Sequence, residues 1–339
     1  MRRWEFLVGV VATAAWPAVR GAVLAFGICA PLAESSADET YPSRLVKLVV
    51  PSPPGGASEA VIRILAERLS SAFGQPFIVE NRPGGAGGTV GAKSVATAEP
   101  DGYTLLVTSP GPMVVAPAIY KNVGYDPLKN FAPIAGLLNS PQMLAVHPSV
   151  PVNSLREFVA YAKSNPGKVN FSSPGYGTQP HLLGEMFKLV AGINLIHIPY
   201  KGAAAAITDL LSGQVQMEFE NIPLLLPHVE AGKLKALAIA DKKRLEQLPN
   251  VPTTTEAGLP KLQATFWSAI VAPAGTPLST VNKLNAAIND ILKSKDIEAS
   301  LNKLSATAKI GTPQDLALFI VSESKKWTEV AVAANIKAD

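Results

Sequence analysis

The segment from residue 169 to residue 227 repeats the patterns of a strand, a helix and a strand, and this alternation restricts the fold more than any other feature. The apolar run that ends at Phe171 predicts a strand, residues 172–180 predict a glycine-containing loop, and residues 181–190 predict a helix. The apolar side of that helix would comprise Leu182, Met186 and Leu189. Repeats of this kind are typical of α/β proteins with a parallel sheet.

The loop at residues 172–180 has the features of a site for a small anion. Backbone N–H groups at the start of a helix have no acceptor within the helix, and the helix dipole is positive at this end. Both effects favour a bound carboxylate or phosphate without any charged side chain. The hydroxyls of Ser172, Ser173 and Thr178 add hydrogen-bonding groups to this predicted site.

The amino-terminal residues have the pattern of a secretory signal. Arg2 and Arg3 precede an apolar stretch at residues 7–19 and then small residues, so residues 1–39 are predicted to be a signal peptide. The arginine pair fits a twin-arginine signal, and the basic start fits the general export pathway equally well. A second apolar stretch at residues 21–33 leaves an uncleaved membrane anchor as an alternative, which the arginine in mid-span disfavours.

Composition excludes several classes of function. The only cysteine, Cys29, lies in the predicted signal peptide, so the mature chain would have no disulfide, no thiolate metal site and no cysteine nucleophile. The net charge of +4 comes without basic clusters, which argues against nucleic-acid binding. The glycines at residues 84–91 miss the spacing of nucleotide-binding loops, and the histidines are scattered without metal-ligand spacing. The sequence therefore predicts no cofactor and no metal.

A first α/β lobe is predicted near the start of the mature chain. Short apolar runs at residues 45–51, 77–80 and 103–108 predict buried parallel strands. Helical patterns at residues 58–73 and 87–97 lie between these runs. Strands and helices that alternate at this length indicate an α/β lobe with helices packed on its sheet.

The same alternation further along predicts a second α/β lobe. Its strand and helix patterns lie at residues 143–147, 155–163, 195–199, 203–212, 215–220, 222–231 and 234–240. The closing segment has a strand pattern at residues 266–271 and two helical patterns, which is too few strands for a third lobe. We therefore expect it to return and pack on the first lobe.

This pattern predicts an α/β fold with two lobes and a cleft between them. Lobe 1 would comprise residues 40–140 and 264–339, and lobe 2 residues 141–263. Ligand sites in open α/β sheets lie at the carboxyl ends of strands. The loops after Pro51, Thr108 and Phe171 are therefore expected to face the cleft.

These loops carry motifs that occur in the order found in a known receptor family. The motifs are PPGGAS at residues 53–58, VENRPGGAGG at 79–88, DGYTLL at 101–106, GYGT at 175–178, PYKG at 199–202 and GQVQMEFENIP at 213–223. Over essentially its whole mature length the chain resembles the extracytoplasmic solute receptors of tripartite tricarboxylate transporters, the Bug family. This resemblance implies a periplasmic-binding-protein fold of type II-like topology, whose two lobes close on a ligand like a Venus flytrap.

The resemblance also implies a function and a site. It implies a monomeric periplasmic receptor without catalytic residues, which captures a small organic carboxylate and delivers it to a two-component membrane permease. In this family the carboxylate is held mainly by backbone N–H groups, hydroxyls and bridging waters. The positions that the resemblance assigns to it are Gly56, Ala57, Ser58, Ser109, Ser172, Ser173, Gly177, Thr178 and His181. Glu59 and Glu220 stand where the family usually has aspartate.

Other interpretations of these residues remain open. Ser58 could cap the helix that follows it as well as contact a ligand, and His181 could brace its loop as well as touch the solute. A receptor that signals to a membrane sensor kinase would have the same cleft and ligand. A secreted α/β hydrolase is the weaker alternative, because neither Ser109 nor Ser173 lies in a Gly-x-Ser-x-Gly motif.

Overall fold

The structure, a computed structural model, describes residues 41–54 and 57–338, so the predicted signal peptide lies outside the described residues. In this part of the chain ten strands form one sheet. They are β1 (Val46–Val50), β2 (Phe77–Asn81), β3 (Thr104–Thr108), β4 (Phe131–Val146), β5 (Asn170–Ser173), β6 (Ile196–Pro199), β7 (Met217–Asn221), β8 (Lys235–Ile239), β9 (Thr265–Pro273) and β10 (Thr307–Ala308).

Helices connect these strands and cover both faces of the sheet. They are α1 (Ala57–Phe73), α2 (Thr89–Ala96), α3 (Ala116–Ile119), α4 (Leu155–Ser164), α5 (Gln179–Ala191), α6 (Ala203–Leu211), α7 (Ile222–Glu230), α8 (Leu278–Leu292), α9 (Lys295–Lys303) and α10 (Pro313–Ala333). A 3₁₀ turn (Ala86–Gly88) precedes α2, and a π-helical turn (Gly111–Val115) precedes α3. The start of α10 is set by a capping box between Thr312 and Asp315, with Pro313 at the first helical position.

The strand order confirms an α/β fold built on parallel strands. Along the sheet the order is β2-β1-β3-β9-β4-β7-β5-β6, and β1 pairs in parallel with both β2 and β3, as predicted. Strand β9 returns antiparallel to β3. The prediction of a strand at residues 143–147 was too short, because β4 already begins at Phe131. Register shifts near Pro133 and Gly136 interrupt its pairing with β9, and proline and glycine obscure a strand pattern in a sequence.

Strand β4 changes partners in its middle and so divides the sheet into two halves. Residues 131–141 of β4 pair with β9, and these residues with β1, β2, β3, β9 and β10 are called the first half-sheet. Residues 142–146 pair with β7 and β8, and together with β5 and β6 they form the second half-sheet. The change falls where the two lobes are expected to meet, and the division at residues 140 and 263 stays a prediction.

The largest hydrophobic core joins residues of both half-sheets and α10. It includes Leu106 from β3, Leu144 from β4, Phe171 from β5 and Trp327 from α10. Helix α10 packs against the π-helical turn, α3 and α5, so one helix contacts elements of both parts of the molecule. Within α5, Leu182 and Met186 are buried as predicted. The expectation for Leu189 was wrong, because this side chain is 47% exposed.

Candidate functional site

A cavity of about 490 Å³ lies at the carboxyl ends of β1, β2 and β3, where the strand-end rule places a ligand. We call it the glycine-lined cavity. Loops after β1 and β2, the end of β3, the first turns of α1 and the start of β9 form its walls. The residues that line it are Val50, Pro51, Ser52, Pro53, Glu59, Ile62, Pro83, Gly84, Gly85, Gly87, Gly88, Val107, Thr108, Ser109, Phe266 and Ser268.

Glycine is required at this wall because the backbone segments approach one another closely. Gly88 has a φ of +94°, and a Cβ added there would lie 2.6 Å from the carbonyl oxygen of Pro51. Gly87 has a φ of +62° and would bring a Cβ within 3.2 Å of the Gly111 backbone. L-residues rarely adopt such positive φ values. The glycine run therefore allows the loops after β1, β2 and β3 to meet around one small cavity.

Two hydroxyl groups that the sequence analysis missed line this cavity. Thr108 at the end of β3 is 1% exposed, and Ser268 in β9 is 3% exposed. In the described part of the chain neither hydroxyl oxygen has a hydrogen-bond partner. A buried hydroxyl without a partner costs about 1–3 kcal/mol, so such groups are usually satisfied by a ligand or by water. We therefore expect a bound molecule or a water to satisfy these hydroxyls.

Replacing Ser268 by alanine should weaken binding of a carboxylate solute at least about tenfold, since a hydrogen bond to a charged group contributes about 1.5–3 kcal/mol. The melting temperature of the ligand-free protein should stay the same or rise, because the variant removes a buried hydroxyl that has no partner. Isothermal titration calorimetry measures the affinity. The exposed Ser322 on α10 provides the matched control, and Ser322→Ala should bind as the parent does. Equal affinity of Ser268→Ala and the parent would exclude this hydroxyl from the site.

The glycine-lined cavity contains no positively charged side chain among the residues that line it. Glu59, in the first turn of α1, is the charged residue among those that line this cavity. The Glu59 carboxylate accepts a hydrogen bond from the Arg63 guanidinium, and Asn81 Nδ2 lies 3.4 Å from Glu59 Oε2. The ion pair with Arg63 reduces the repulsion that this carboxylate would exert on an anion. Recognition of an anion would therefore depend on neutral donors.

The site residues predicted for the first lobe lie in two loops, one after β1 and one after β3. Ser109 lines the glycine-lined cavity directly after β3. Gly56 lies outside the described residues, and the side chains of Ala57 and Ser58 are not described. Helix α1 begins at Ala57, so the backbone of Ala57 and Ser58 belongs to a helix start next to the cavity.

The two serines of the second predicted loop are part of a strand instead. The expectation that the loop begins at residue 172 was wrong, because β5 continues to Ser173 and both serines are fully buried. Ser172 Oγ donates to Glu218 Oε2 at 2.9 Å. Ser173 Oγ lies 2.7 Å from His197 Nε2 and 3.0 Å from the Gly175 carbonyl oxygen. Both hydroxyls are therefore engaged within the protein.

The remaining predicted residues form the turn into α5. Thr178 is the N-cap residue by position, yet its hydroxyl donates to the Gly175 carbonyl at 2.8 Å and does not cap the helix. The Gly177 amide donates to His181 Nδ1 at 3.1 Å, so His181 braces the loop. In the first turn of α5 the amides of Gln179 and His181 lack an acceptor within the helix. None of these second-loop residues lines the glycine-lined cavity.

His181 and His197 form a stacked pair that the sequence analysis did not anticipate. Their ring centroids are 3.8 Å apart, and the Phe171 ring lies 4.8 Å from that of His197. Burial, together with nearby Lys188, lowers the pKa of His181 to about 4. Burial and the neighbouring His181 lower the pKa of His197 to about 3. Both imidazoles are neutral near pH 7 and supply no charge for an anion.

Strand β7 carries two buried carboxyl groups on the face opposite to this histidine pair. Burial and the neighbouring Glu220 raise the pKa of Glu218 to about 8. Burial also raises the pKa of Glu220 to about 7, although the Asn221 amide groups donate to its Oε1. In the described part of the chain, Glu218 Oε1 and Glu220 Oε2 have no hydrogen-bond partner. These carboxyls therefore retain protons more readily than exposed glutamates do.

A second cavity, which we call the hinge cavity, shares the lining residue Phe266 with the glycine-lined cavity. It has a volume of about 230 Å³. The residues around it are Leu138, Ser140, Asn221, Pro223, Leu224, Phe266, Leu304 and Ala306. Asn221 ends β7 and Leu224 lies in α7, whereas Leu138 and Phe266 belong to the first half-sheet. This cavity thus lies between the two half-sheets.

Two further features, a metal-binding cluster and a membrane-spanning helix, were sought among the described residues. They contain no cluster of three or more histidine, cysteine, aspartate or glutamate side chains arranged to hold a metal ion. Over residues 41–54 and 57–338, no helix has both the length and the apolar character needed to cross a bilayer.

A mixed sheet in two halves, with a cavity at the strand ends, is the fold of the two-lobed periplasmic solute-binding proteins, as solved structures confirm. The protein Rpa4515 of R. palustris, solved with adipate, shares 35% identity at a TM-score of 0.76, and the match covers 88% of this chain and 99% of that one. MatC from Rhodopseudomonas palustris, solved with bound malate, shares 34% identity at a TM-score of 0.72, covering 86% of this chain and 99% of MatC.

Sequence comparison identifies the family. The profile of the family described as "Tripartite tricarboxylate transporter family receptor" matches residues 61–336. Protein BugT of Bordetella pertussis is 39% identical over 305 residues, which span 90% of this chain and 92% of BugT. The chain belongs to this family of tripartite tricarboxylate transporter receptors, whose members include the Bug proteins. The resemblance inferred from the loop motifs is confirmed, and the protein is a solute-binding receptor and not an enzyme.

Proposed function

We propose that this protein captures a small organic carboxylate in the cleft by closure of its two lobes and delivers it to a two-component membrane permease. The observation that carries the proposal is the glycine-lined cavity, which combines two unpaired buried hydroxyls with the start of α1 and has no lysine, arginine or histidine among the described residues that line it. Two related receptors were solved with carboxylates, adipate and malate. The family description, a receptor of a tripartite transporter, supports delivery to a permease.

The proposed site combines the residues assigned from the two loops with the newly found hydroxyls. On the first half-sheet, Ser109, Thr108 and Ser268 would donate to the carboxylate, together with the backbone at the start of α1. On the second, the hydroxyls of the predicted serines are engaged within the protein. The contribution of this loop would therefore come mainly from backbone N–H groups at the start of α5, which need no charge to attract an anion.

Closure would require motion between lobe 1 (residues 40–140 and 264–339) and lobe 2 (residues 141–263). The change of strand partners within β4 supports this boundary, because residues 131–141 pair with β9 and residues 142–146 with β7. We also propose that residues 1–39 direct export to the periplasm and that the receptor acts as a monomer. The periplasmic relatives support the location.

Thermal unfolding tests the proposal. The exported protein is purified, unfolded and refolded to remove carried-over ligand, and then heated with mono-, di- and tricarboxylates, amino acids and sugars. A ligand at about 100 times its dissociation constant stabilises the folded state by roughly 2.7 kcal/mol, which raises the melting temperature by several degrees. We expect a selective rise with at least one carboxylate and none with sugars. Cooperative unfolding without any carboxylate shift would contradict carboxylate capture.

A further inference from the structure

Residues 174–178, which we call the α5 turn, precede the helix start whose amides are proposed to bind the solute. The ring of Tyr176 in this turn lies 4.8 Å from that of His181, and the Gly177 amide donates to His181 Nδ1 at 3.1 Å. These contacts, together with the hydrogen bonds of the turn described above, lie on the side of the second half-sheet. The shape of the α5 turn is therefore set locally.

The α5 turn also contacts two segments that lie outside the second half-sheet. The Tyr176 hydroxyl donates at 3.2 Å to the carbonyl of Lys337, a residue 161 positions away along the chain. Gly177 lies so close to Ile119 that an added Cβ would stand 2.3 Å from Ile119 Cδ1. Ile119 ends α3, which connects β3 with β4, and Lys337 follows α10. The turn thus lies where the second half of the molecule meets elements of the first.

The C-terminal residues that receive the tyrosine hydroxyl are themselves anchored to α3. The Ala338 amide donates to the Ile119 carbonyl at 2.9 Å, and Ala338 forms a parallel bridge with Tyr120. The side chain of Ile336 is buried in the largest core. We call residues 119–120 and 336–338 the C-terminal platform. The acceptor of the tyrosine hydroxyl is therefore a carbonyl held in place from both sides.

The contact with the C-terminal platform is important because the first turn of α5 follows it directly. The amides of Gln179 and His181 in that turn have no acceptor within the helix. Hydrogen bonds weaken steeply as their geometry departs from the ideal, so these amides must point at the solute. A turn that moved freely would have to be ordered by the solute, which costs binding free energy. Fixing the turn beforehand would therefore tighten binding.

We propose that Tyr176 is a positioning residue for solute capture. Its hydroxyl, held by the Lys337 carbonyl, fixes the α5 turn on the C-terminal platform and so preorganises the amides at the start of α5 for a carboxylate. The C-terminal residues of the chain thus contribute to the site without touching the solute. The inference rests on the proposed function, because it assigns a group that orients one half of that site.

Amide hydrogen exchange in the exported, refolded protein without any carboxylate tests the contact itself. Tyr176→Phe keeps the ring and removes the hydroxyl, and the fold should be retained because Tyr176 is 48% exposed. We expect the bonded amides of residues 175–182 to exchange at least about threefold faster, the effect of one lost hydrogen bond. Tyr161→Phe on α4 is the matched control, because Tyr161 is not among the residues that line either cavity. Exchange in Tyr176→Phe equal to that of the parent would overturn the inference.

Truncation of the chain after Ile336 removes the acceptor carbonyl and allows a double-mutant cycle. The truncated protein keeps Ile336, whose side chain is the anchor in the core. Truncation should also speed the exchange of the α5 turn. Adding Tyr176→Phe should then cause no further increase, because both changes remove the same hydrogen bond. Additive effects would show that the hydroxyl acts through a group other than the Lys337 carbonyl and would overturn the assignment.

Isothermal titration calorimetry tests the effect on solute capture. The probes are malate and adipate, the carboxylates of the two related receptors, and any carboxylate that raises the melting temperature in the panel above. Tyr176→Phe should bind at least about threefold more weakly than the parent, and Tyr161→Phe should bind as the parent does. Equal affinity of Tyr176→Phe and the parent would overturn the positioning role and leave carboxylate capture intact. If no carboxylate binds the parent, the inference and the proposed function both fail.

Discussion

Replacing Trp327 by alanine is expected to lower the free energy of unfolding by about 3–5 kcal/mol. The Trp327 side chain is fully buried in the largest core, and its Nε1 donates to Glu323 Oε2 at 3.1 Å. Alanine would leave a large void, and the buried Glu323 would lose one of its donors. Because α10 contacts both the π-helical turn and α5, the loss should affect the whole described fold.

Chemical denaturation followed by circular dichroism measures this effect. Leu318→Ala provides the matched control on the same helix, because Leu318 is 71% exposed and its truncation should change stability by no more than about 0.5 kcal/mol. A loss below about 1 kcal/mol in Trp327→Ala would contradict the burial of this indole in a core that links α10 to the sheet.

The second large effect is a loss of stability between about pH 6.5 and pH 8, caused by Glu218 and Glu220. Their pKa values, about 8 and about 7, are higher in the folded protein than the ordinary value of 4.5. The folded state therefore holds protons that the unfolded state has released. This stabilisation is complete below about pH 4.5 and is lost as the pH rises through the folded values. Each such proton contributes a slope of about 1.4 kcal/mol per pH unit.

At lower pH, His181 and His197 change the stability of the folded state in the opposite direction. The pKa values of His181 and His197 are lower in the folded protein than the ordinary 6.5, so the unfolded state binds their protons first. Their contribution to stability is present above pH 6.5 and is lost as the pH falls towards 3–4. Above pH 6.5 the carboxyl pair acts alone, and stability should therefore be highest in mildly acidic solution.

Urea unfolding at a series of pH values measures this dependence. Glu218→Gln removes one titrating group while Ser172 Oγ can still donate to the amide oxygen, so the decline above pH 6.5 should become shallower. Glu67→Gln, on the exposed side of α1, is the control and should leave the profile unchanged. Stability that rises from pH 6.5 to pH 8 in the parent protein would contradict the assignment of raised pKa values to the β7 carboxyls.

Much of the architecture could be predicted because its elements have strong local patterns. The first three strands and the helices between them have apolar runs bounded by glycine and proline, and the structure places them as parallel neighbours. The first part of β4 escaped prediction because Pro133, Gly136 and Pro141 interrupt it, although pairing with β9 on one side keeps it in the sheet. Helix α9 and the two-residue β10 were also missed, because the sequence analysis assigned no element to the segment between its last two helices.

The site was less predictable, because its chemistry depends on neighbours that are distant in the sequence. Ser109 was assigned through the resemblance to the receptor family, and it lines the glycine-lined cavity. Thr108 and Ser268 were missed because threonine and serine inside strands look ordinary, and only burial without a partner distinguishes them. The stacking of His181 on His197 depends on the pairing of β5 with β6, which brings two separate segments together. Spacing along the chain carries no sign of that contact.

No lysine, arginine or histidine is among the described residues that line the glycine-lined cavity, and Arg63 beside it is paired with the Glu59 carboxylate. This arrangement has a consequence for the rate of capture. At physiological ionic strength charges act over a Debye length of about 8 Å, and sites built from lysine and arginine gain association rate from this attraction and lose it in salt. A cavity that binds through hydroxyls and amides gains little association rate from electrostatic attraction, so added salt should reduce that rate only slightly. Solute capture by this receptor should therefore proceed at similar rates in dilute and saline surroundings, a property suited to a compartment whose ionic strength follows the outside medium.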